Sequence, residues 1–213
     1  MWINFCHAFV KITGWLPQLF CFRTKICCED PTIQNRRIPG GAILVSNHTS
    51  IFDFAVYIFV FPFRTLRFQM AELLFDKKLL GTFLRCLGGI YVNRNAHDLS
   101  FITKSEEIIR KGGVVGIFPE GRLPRPGEAT PLPFSSGAAF LALSTGAPII
   151  PVYTNGAYFT RKRARVVIGT PICVRELLDD NLSEKENLVQ ISEKIRHRVM
   201  ELGNKLNERT ETN

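Results

Sequence analysis

Residues 42–53 read AILVSNHTSIFD and give the clearest indication of the fold class. Its first five residues, 42–46, are apolar or small and indicate a buried strand. The polar run that follows carries His48 and Asp53, and residues 52–62 then read as the start of an apolar helix. A buried strand leading through a polar loop into a helix is typical of an α/β sheet, where reactive residues collect just past the carboxyl ends of strands.

The rest of the chain repeats this alternation. Further strands are predicted at 88–92, 113–118, 147–152 and 165–169, and helices at 98–111, with Asp98 as the cap, and at 136–145. The tail repeats apolar residues every three or four positions, as an amphipathic helix does: Leu188, Ile191, Ile195, Val199, Leu202 and Leu206. We therefore predict an α/β fold in a single domain, with a mixed, mostly parallel sheet flanked by helices.

The composition suits one folded domain with an anionic partner. The chain has 213 residues, of which 46% are hydrophobic and 22% charged, so a packed core is expected and disorder is not. Lys and Arg outnumber Asp and Glu by 27 to 19, which favours nucleic acid, anionic lipid or a phosphorylated substrate. The six cysteines show no metal-ligand spacing, and no metal site is predicted.

The first 25 residues are predicted to be an amphipathic membrane-associating segment, and residues 26–209 the folded domain. Residues 2–22 read as one helix with a narrow polar stripe, formed by Asn4, His7, Lys11 and Gln18. Such a helix either lies in the lipid headgroup layer or packs over the sheet as a core helix. We favour the membrane, with the large apolar side chains turned toward the lipid: Trp2, Phe5, Phe9 and Leu16.

His48 and Asp53 form the first candidate for chemistry. If Ser50 caps the helix after the strand, Asp53 lies in its first turn and can reach back to orient the His48 imidazole as a general base. The alternative is a plain capping arrangement of Ser50 and Asp53, with His48 an incidental loop residue. No Gly-x-Ser-x-Gly nucleophile elbow occurs, which suggests direct deprotonation of a substrate hydroxyl.

Two further polar groups follow predicted strands. Residues 118–122 read FPEGR and are followed by Arg125, and Asn93 and Arg94 end the strand at 88–92. A glycine that lets backbone amides approach, beside arginines, can hold a phosphate or an oxyanion. Solvated arginines at a turn and at a strand end are the alternative.

These motifs together resemble the glycerolipid acyltransferases typified by 1-acylglycerol-3-phosphate (lysophosphatidate) acyltransferase. Four blocks occur in the family's order: Asn47-His48 with Asp53, Gly89-Ile90-Tyr91-Val92-Asn93-Arg94, Phe118-Pro119-Glu120-Gly121-Arg122, and Ala147-Pro148-Ile149-Ile150-Pro151-Val152. The resemblance covers roughly residues 40–170 and makes residues 26–209 the acyltransferase-like catalytic domain. Each motif alone is weak, whereas their order and spacing together are specific.

The resemblance implies an enzyme that moves a fatty acyl group from acyl-CoA or acyl carrier protein to the free hydroxyl of 1-acylglycerol-3-phosphate, giving phosphatidic acid. Both thioesters are substrates, and no cofactor or metal is expected. His48 and Asp53 would be catalytic, and the acceptor phosphate would be held by Arg94, Glu120, Gly121 and Arg122. The implied location is the cytoplasmic face of the cell membrane, with the protein peripheral or monotopic.

Two departures from the family pattern bear on the acceptor. The family usually has a threonine between the glycine and arginine of its third block, whereas here Arg122 follows Gly121 directly. The family often has Phe-Lys-Lys-Gly where residues 134–137 read FSSG. An acyltransferase acting on another lysophospholipid or a glycerol-3-phosphate-type acceptor is therefore the alternative.

Other classes are less favoured. A non-catalytic lipid-binding protein of this fold would not need both His48 and Asp53. A nucleic-acid binder is suggested by charge alone and lacks a recognisable reading motif, so no nucleic-acid partner is expected. The basic stretch at 161–165 is either a solvated strand entry or a contact with anionic headgroups or an acidic carrier protein.

Overall fold

A computed structural model describes residues 1–93 and 99–211. The strands are β1 (Lys25–Cys28), β2 (Ala42–Ser46), β3 (Leu66–Ala71), β4 (Ile90–Val92), β5 (Val114–Ile117), β6 (Ile149–Thr154) and β7 (Arg165–Ile168). The α-helices are α1 (Trp2–Thr13), α2 (Trp15–Cys21), α3 (Asp53–Val60), α4 (Lys78–Cys86), α5 (Ser100–Arg110), α6 (Gly137–Thr145) and α7 (Glu184–Glu211). Short 3₁₀ helices lie at Glu72–Leu74 and Val174–Leu177.

The seven strands form one sheet in the order β1-β7-β6-β2-β5-β3-β4. Neighbouring strands are parallel except β6 and β7, which run antiparallel. The predicted mixed, mostly parallel sheet is thus confirmed. The central strand β2 lies between β5 and β6, both of which come much later in the chain. Ligands of open α/β sheets bind beyond the carboxyl end of a strand in this position.

Helices cover both faces of the sheet, which explains why β2 is apolar throughout. Ala42 and Leu44 point to the face covered by α3 and α4, and Ile43 and Val45 point to the face covered by α5, α6 and α7. All four side chains are fully buried. Because β2 is buried on both sides, the polar loop that follows it begins at a fixed position, at the carboxyl end of the strand.

The predicted elements after residue 40 are present, with ends shifted by a few residues. The apolar stripe of the tail helix packs into the core as expected. The predicted cap Asp98 lies outside the described residues. The sequence reading omitted β1, β3 and α4. It overlooked the alternation in β3, where Leu66, Phe68 and Met70 are buried and their neighbours are only partly buried. The edge strand β1 has only four residues and no such pattern.

The single helix predicted over residues 2–22 is wrong, because the structure divides it at Gly14 into α1 and α2. A side chain at Gly14 would begin 2.6 Å from the Phe59 ring, so this glycine lets the chain pass close to α3. Pro17 lies in the first turn of α2, where a missing N–H costs no helical hydrogen bond.

The polar stripe of α1 faces the protein. His7 Nε2 lies 3.0 Å from the Leu87 carbonyl oxygen, and Lys11 Nζ donates to the carbonyl oxygens of Pro62 and Arg64, both at 2.8 Å. Burial is the main factor that lowers the pKa of both His7 and Lys11. The interpretation as an ordinary core helix is therefore wrong, because such a helix would turn its apolar side inward.

The apolar side of α1 and α2 is left exposed. Eight large apolar side chains on these helices are each 45–77% exposed: Trp2, Phe5, Phe9, Ile12, Trp15, Leu16, Leu19 and Phe20. A continuous apolar surface of this kind marks an interaction site in a folded protein. None of the helices described is both long and apolar enough to cross a bilayer.

Gly116 provides a test of the packing between β5 and β3. A Cβ atom at this position would lie 2.2 Å from the buried Phe68 ring. We expect Gly116→Ala to lower the free energy of unfolding by about 1–3 kcal/mol through overpacking, as measured by denaturant unfolding. Gly137→Ala is the matched control, because no atom lies within 4 Å of its added Cβ. Equal stability of the two variants would contradict the packing described here.

Candidate functional site

The site is built around the Asp53 carboxylate at the carboxyl end of β2. Oδ2 accepts hydrogen bonds from His48 Nδ1 at 2.9 Å and from the N–H groups of Thr49 and Ser50 at 2.7 and 2.9 Å. Oδ1 accepts the Thr49 hydroxyl at 3.1 Å. The Asp53 side chain is fully buried, whereas that of His48 is 20% exposed. The carboxylate thus holds both the imidazole and the loop that leads to it.

This geometry defines the state of the imidazole. With Nδ1 donating to a carboxylate, Nε2 keeps its lone pair and can accept a proton. A carboxylate in this position also stabilises the imidazolium that would form. The pair can therefore act as an oriented general base.

The helix start differs in detail from the prediction. We expected Ser50 to cap the helix, but Phe52 is the N-cap residue and no side chain caps α3. Ser50 Oγ instead accepts the Phe52 N–H at 3.2 Å. Asp53 is the first residue of α3 and does reach back to His48, as predicted. Its carboxylate also accepts the Ser50 N–H, and the alternative with His48 as an incidental loop residue is wrong because His48 contacts this carboxylate.

Two side chains, those of Asn47 and Glu120, tie the His48 loop to distant parts of the chain. The side-chain amide of Asn47 pairs with the backbone of Thr154, accepting its N–H at 2.9 Å and donating to its carbonyl oxygen at 2.8 Å. Glu120 accepts the His48 N–H at 2.7 Å through one oxygen and the Leu132 N–H at 2.9 Å through the other. Burial raises the pKa of Glu120, although these two N–H donors oppose the shift. Both carboxylate oxygens of Glu120 therefore serve to shape the loops.

Aromatic rings complete the wall beside His48. The imidazole stacks on Phe118, with ring centroids 4.3 Å apart, and Phe118 stacks in turn on Phe68. The buried Tyr158 hydroxyl lies 2.9 Å from Thr154 Oγ1. Burial and, secondarily, the Asp53 charge raise the pKa of Tyr158. The imidazole is thus confined between an aromatic ring and a buried carboxylate.

A cavity of about 610 Å³ adjoins this wall. Its lining combines the loop at 117–121 with Gln69 and Met70 of β3 and the loop at 133–137. No lysine or arginine among the described residues lines it. Among all residues that the structure describes, no group of three His, Cys, Asp or Glu side chains is arranged to hold a metal ion.

Of the predicted phosphate-binding arginines, Arg122 is described by the structure and does not line this cavity. Arg122 forms a two-bond pair with Glu128, with Nη1 to Oε2 at 2.6 Å and Nη2 to Oε1 at 2.9 Å. Glu128 also accepts the Arg125 N–H at 2.7 Å, which closes the loop on itself. The Arg122 guanidinium is the main factor that lowers the pKa of Glu128 to about 2. Arg94 lies outside the described residues.

Gly121 is suited to its place in this loop. It adopts a φ of 74°, a left-handed conformation that favours glycine, and its N–H donates to the Phe118 carbonyl oxygen at 3.0 Å. The turn directs the chain from Glu120 toward the Arg122–Glu128 pair. Gly121 therefore shapes the loop by its backbone.

Several residues of the site were not given a role by the sequence reading. The sequence assigns Asn47 no role beyond its place in a motif, and it assigns none to Thr154, Tyr158 or Glu128. The position of Asn47 directly after a buried strand was an available signal. Thr154 gains its role only when β6 lies beside β2, whereas Tyr158 and Glu128 bond residues only four and six positions away.

Comparisons with known proteins identify the family of this chain. A family model described as Acyltransferase matches residues 27–155. The chain is 26% identical over 181 residues to the 1-acyl-sn-glycerol-3-phosphate acyltransferase of Bacillus subtilis, covering 82% of this chain and 87% of that protein. It is 31% identical to the enzyme of the same name from Borreliella burgdorferi, covering 87% and 73% of the two chains.

A human relative and a solved structure complete the comparison. The human 1-acyl-sn-glycerol-3-phosphate acyltransferase beta is 30% identical, over 76% of this chain and 59% of that protein. The crystal structure of the 1-acyl-sn-glycerophosphate acyltransferase PlsC from Thermotoga maritima superposes with a TM-score of 0.65 at 21% identity, covering 94% of this chain and 79% of that one. This structure shares the fold. The family match and these relatives together show that the chain belongs to the acyltransferase family, as its four motifs predicted.

Proposed function

We propose that the protein transfers a fatty acyl group from acyl-CoA or acyl carrier protein to the free hydroxyl of 1-acylglycerol-3-phosphate, giving phosphatidic acid. The observation that carries this proposal is the 2.9 Å contact of His48 Nδ1 with the buried Asp53, beside a large cavity. The named relatives in Bacillus and Borreliella support the choice of acceptor.

In the proposed reaction, His48 Nε2 takes the proton of the acceptor hydroxyl as its oxygen attacks the thioester carbonyl. The tetrahedral intermediate collapses, the carbon–sulfur bond breaks, and the departing thiolate receives the proton from the imidazolium. Asp53 holds the imidazole and stabilises its charge throughout. This route assigns no step to a metal or an acyl-enzyme, since a thioester is already activated.

The acceptor phosphate is proposed to lie near Arg122 and Arg94. A guanidinium fork matches a phosphate well, and Arg122 already binds a carboxylate with both nitrogens. A phosphate would therefore exchange with Glu128 as the partner of Arg122. Glu120 and Gly121 contribute by shaping the loop that carries this arginine.

A second acceptor class is favoured by one observation. The described lining of the cavity beside His48 contains no cation, and Arg122 is engaged by Glu128. This observation favours a lysophospholipid whose headgroup is not a phosphate monoester; such an acceptor would use the same His48 and Asp53 and differ only in headgroup contacts.

We also propose that the protein binds the cytoplasmic face of the cell membrane as a peripheral or monotopic enzyme. The exposed apolar side of α1 and α2 would enter the interface, because their polar stripe is already bonded to the protein. Phe159, which packs on Phe22 and Phe52, extends this surface toward the site. The exposed cations at 161–163 follow directly and suit anionic headgroups.

The role of His48 is tested by His48→Ala. We expect acyl transfer to fall by about 10²–10⁴-fold, because the general base is lost, while thermal unfolding stays close to that of the parent protein. A mass-spectrometric assay with acyl-CoA, acyl carrier protein and a panel of lysophospholipids measures the rate. His197→Ala is the control, since His197 is exposed on α7.

Asp53→Asn belongs to the same experiment. This variant keeps the side-chain shape and removes the charge that stabilises the imidazolium, so we expect a large loss of rate with little change in acceptor affinity. Turnover of His48→Ala within a few-fold of the parent would exclude His48 as the base.

The acceptor phosphate is tested through Arg122. We expect Arg122→Ala to raise the acceptor KM about tenfold or more, the effect of losing a hydrogen bond to a charged group, with little change in the donor KM. Arg94→Ala should act alike, and Arg125→Ala should matter less. Glu128→Gln should lower the acceptor KM, because its neutral side chain competes less for Arg122.

An unchanged acceptor KM in Arg122→Ala and Arg94→Ala would contradict the phosphate-monoester proposal. Preference for a neutral or zwitterionic lysolipid in the same panel would do so too. Either result would favour the second acceptor class and leave the roles of His48 and Asp53 intact.

Membrane binding is tested by replacing Trp2, Phe5 and Phe9 together with serine. We expect partitioning into phospholipid vesicles to fall at least about a hundredfold, because each large apolar side chain contributes roughly 1.5–3 kcal/mol on full burial. Vesicle flotation provides the measurement. The control replaces three exposed apolar residues elsewhere, Leu79, Leu178 and Val189, with serine. Equal flotation of both triple variants would exclude α1 as the membrane contact.

A further inference from the structure

A second cavity, of about 480 Å³, lies between the start of α1, the start of β3 and helix α5. Gly113, which directly precedes β5, also lines it. Since β2, β3 and β5 are parallel, this cavity lies at the opposite edge of the sheet from His48. The intervening strands of four to six residues separate the two by roughly 15 Å. It is therefore distinct from the site already described.

The charges around this second cavity are mainly positive. Arg67, Lys104, Lys111 and Glu107 all contribute to its lining. Lys111 Nζ bonds Glu107 Oε1 at 2.5 Å, so this pair is internally compensated. Arg67 and Lys104 form no hydrogen bond or ion pair with any residue that the structure describes. The Glu107 charge also acts on Arg67 and Lys104, so three cations share one carboxylate in this cavity.

Arg67 is the most informative of these cations because it is partly buried. A Cβ atom added to Gly88 would lie 2.9 Å from Arg67 Nε and 3.0 Å from the Ile3 side chain, so both side chains pack against this glycine. The guanidinium is therefore held between α1 and the turn before β4. Burial lowers the pKa of Arg67, with the Glu107 charge opposing the shift. A partly desolvated, fixed guanidinium gains more from an anionic ligand than a fully hydrated one does.

A neutral donor on α1 completes the set. Asn4 lines the cavity, and its Oδ1 accepts the Thr65 hydroxyl at 2.9 Å. The acceptor atom of this amide is thereby occupied by Thr65, whereas its Nδ2 donates to no residue in the described ranges. A ligand with several acceptor oxygens could receive Nδ2 together with Arg67 and Lys104.

We propose that this cavity binds a phosphate group, supplied by a free phosphate ester or by a phospholipid headgroup. Arg67 provides a planar fork that matches phosphate oxygens, Lys104 a second positive charge and Asn4 a neutral donor. The ligand would contact α1, β3 and α5 at once, so its binding stabilises the docked position of α1. Trp2 and Phe5, exposed at the start of α1, place the cavity close to the proposed lipid interface.

The experiment titrates the full-length protein with inorganic phosphate and follows binding by calorimetry. We expect saturable binding that weakens about tenfold or more in Arg67→Gln, as for loss of a hydrogen bond to a charged group, and less steeply in Lys104→Gln. Lys185→Gln removes an equal charge from the exposed start of α7 and should leave binding unchanged. Arg122→Ala should leave in place the binding component that Arg67→Gln removes, which separates this cavity from the proposed acceptor site.

A second arm identifies the source of the phosphate. Vesicles of phosphatidylcholine with and without phosphatidate are compared for the parent protein, Arg67→Gln and Lys185→Gln. A greater loss of vesicle affinity in Arg67→Gln than in Lys185→Gln supports the cavity with a lipid headgroup as ligand. Equal vesicle affinities, with phosphate binding still lost in Arg67→Gln, support it with a free ester as ligand.

Absence of saturable phosphate binding in the parent protein would overturn the proposal. Equal weakening by Arg67→Gln, Lys104→Gln and Lys185→Gln would overturn it too, because the effect would then reflect net charge alone. Circular dichroism checks the fold of each variant. If Arg67→Gln does not fold, Lys104→Gln, at an exposed helix position, decides the outcome.

Discussion

The arrangement of the site depends on one buried carboxylate. Asp53 receives the His48 ring, the N–H groups of Thr49 and Ser50, and the Thr49 hydroxyl. A buried, ionised side chain is tolerable only where such donors surround it. The same four bonds fold residues 48–52 into one conformation between β2 and α3. The Asp53 carboxylate thus orients the imidazole and also holds the loop that leads into α3.

The part of this site that could be read from the sequence is the part made of neighbouring residues. The apolar run 42–46 specified a buried strand, and the spacing of His48 and Asp53 was short enough for their contact to be anticipated. The helical tail was equally clear, because its apolar period persists over many turns. Local periodicity and short spacings specify geometry directly, because the residues involved are neighbours in the chain.

The remainder depends on contacts between distant segments. Glu120 reaches His48 across 72 positions, and Asn47 reaches Thr154 across 107. Such pairs follow from strand order, since β5 and β6 both flank β2, and no local pattern encodes that order. The inward direction of the polar stripe on α1 is similar, because it depends on carbonyl groups at 62–64 and 87 that the helix meets only in the folded chain.

The single tie between Glu120 and the His48 backbone has a consequence for how this enzyme could diverge. His48 and Asp53 are supplied by six consecutive residues, whereas the loops at 118–135 meet them chiefly through the Glu120 carboxylate and the Phe118 ring. Insertions or exchanges between Glu120 and Leu132 that keep the bond of the Leu132 N–H to Glu120 would leave the contact of His48 with Asp53 in place. Under the proposed function, acceptor preference can therefore change by replacement of these loops while the pair of His48 and Asp53 is retained at each intermediate stage.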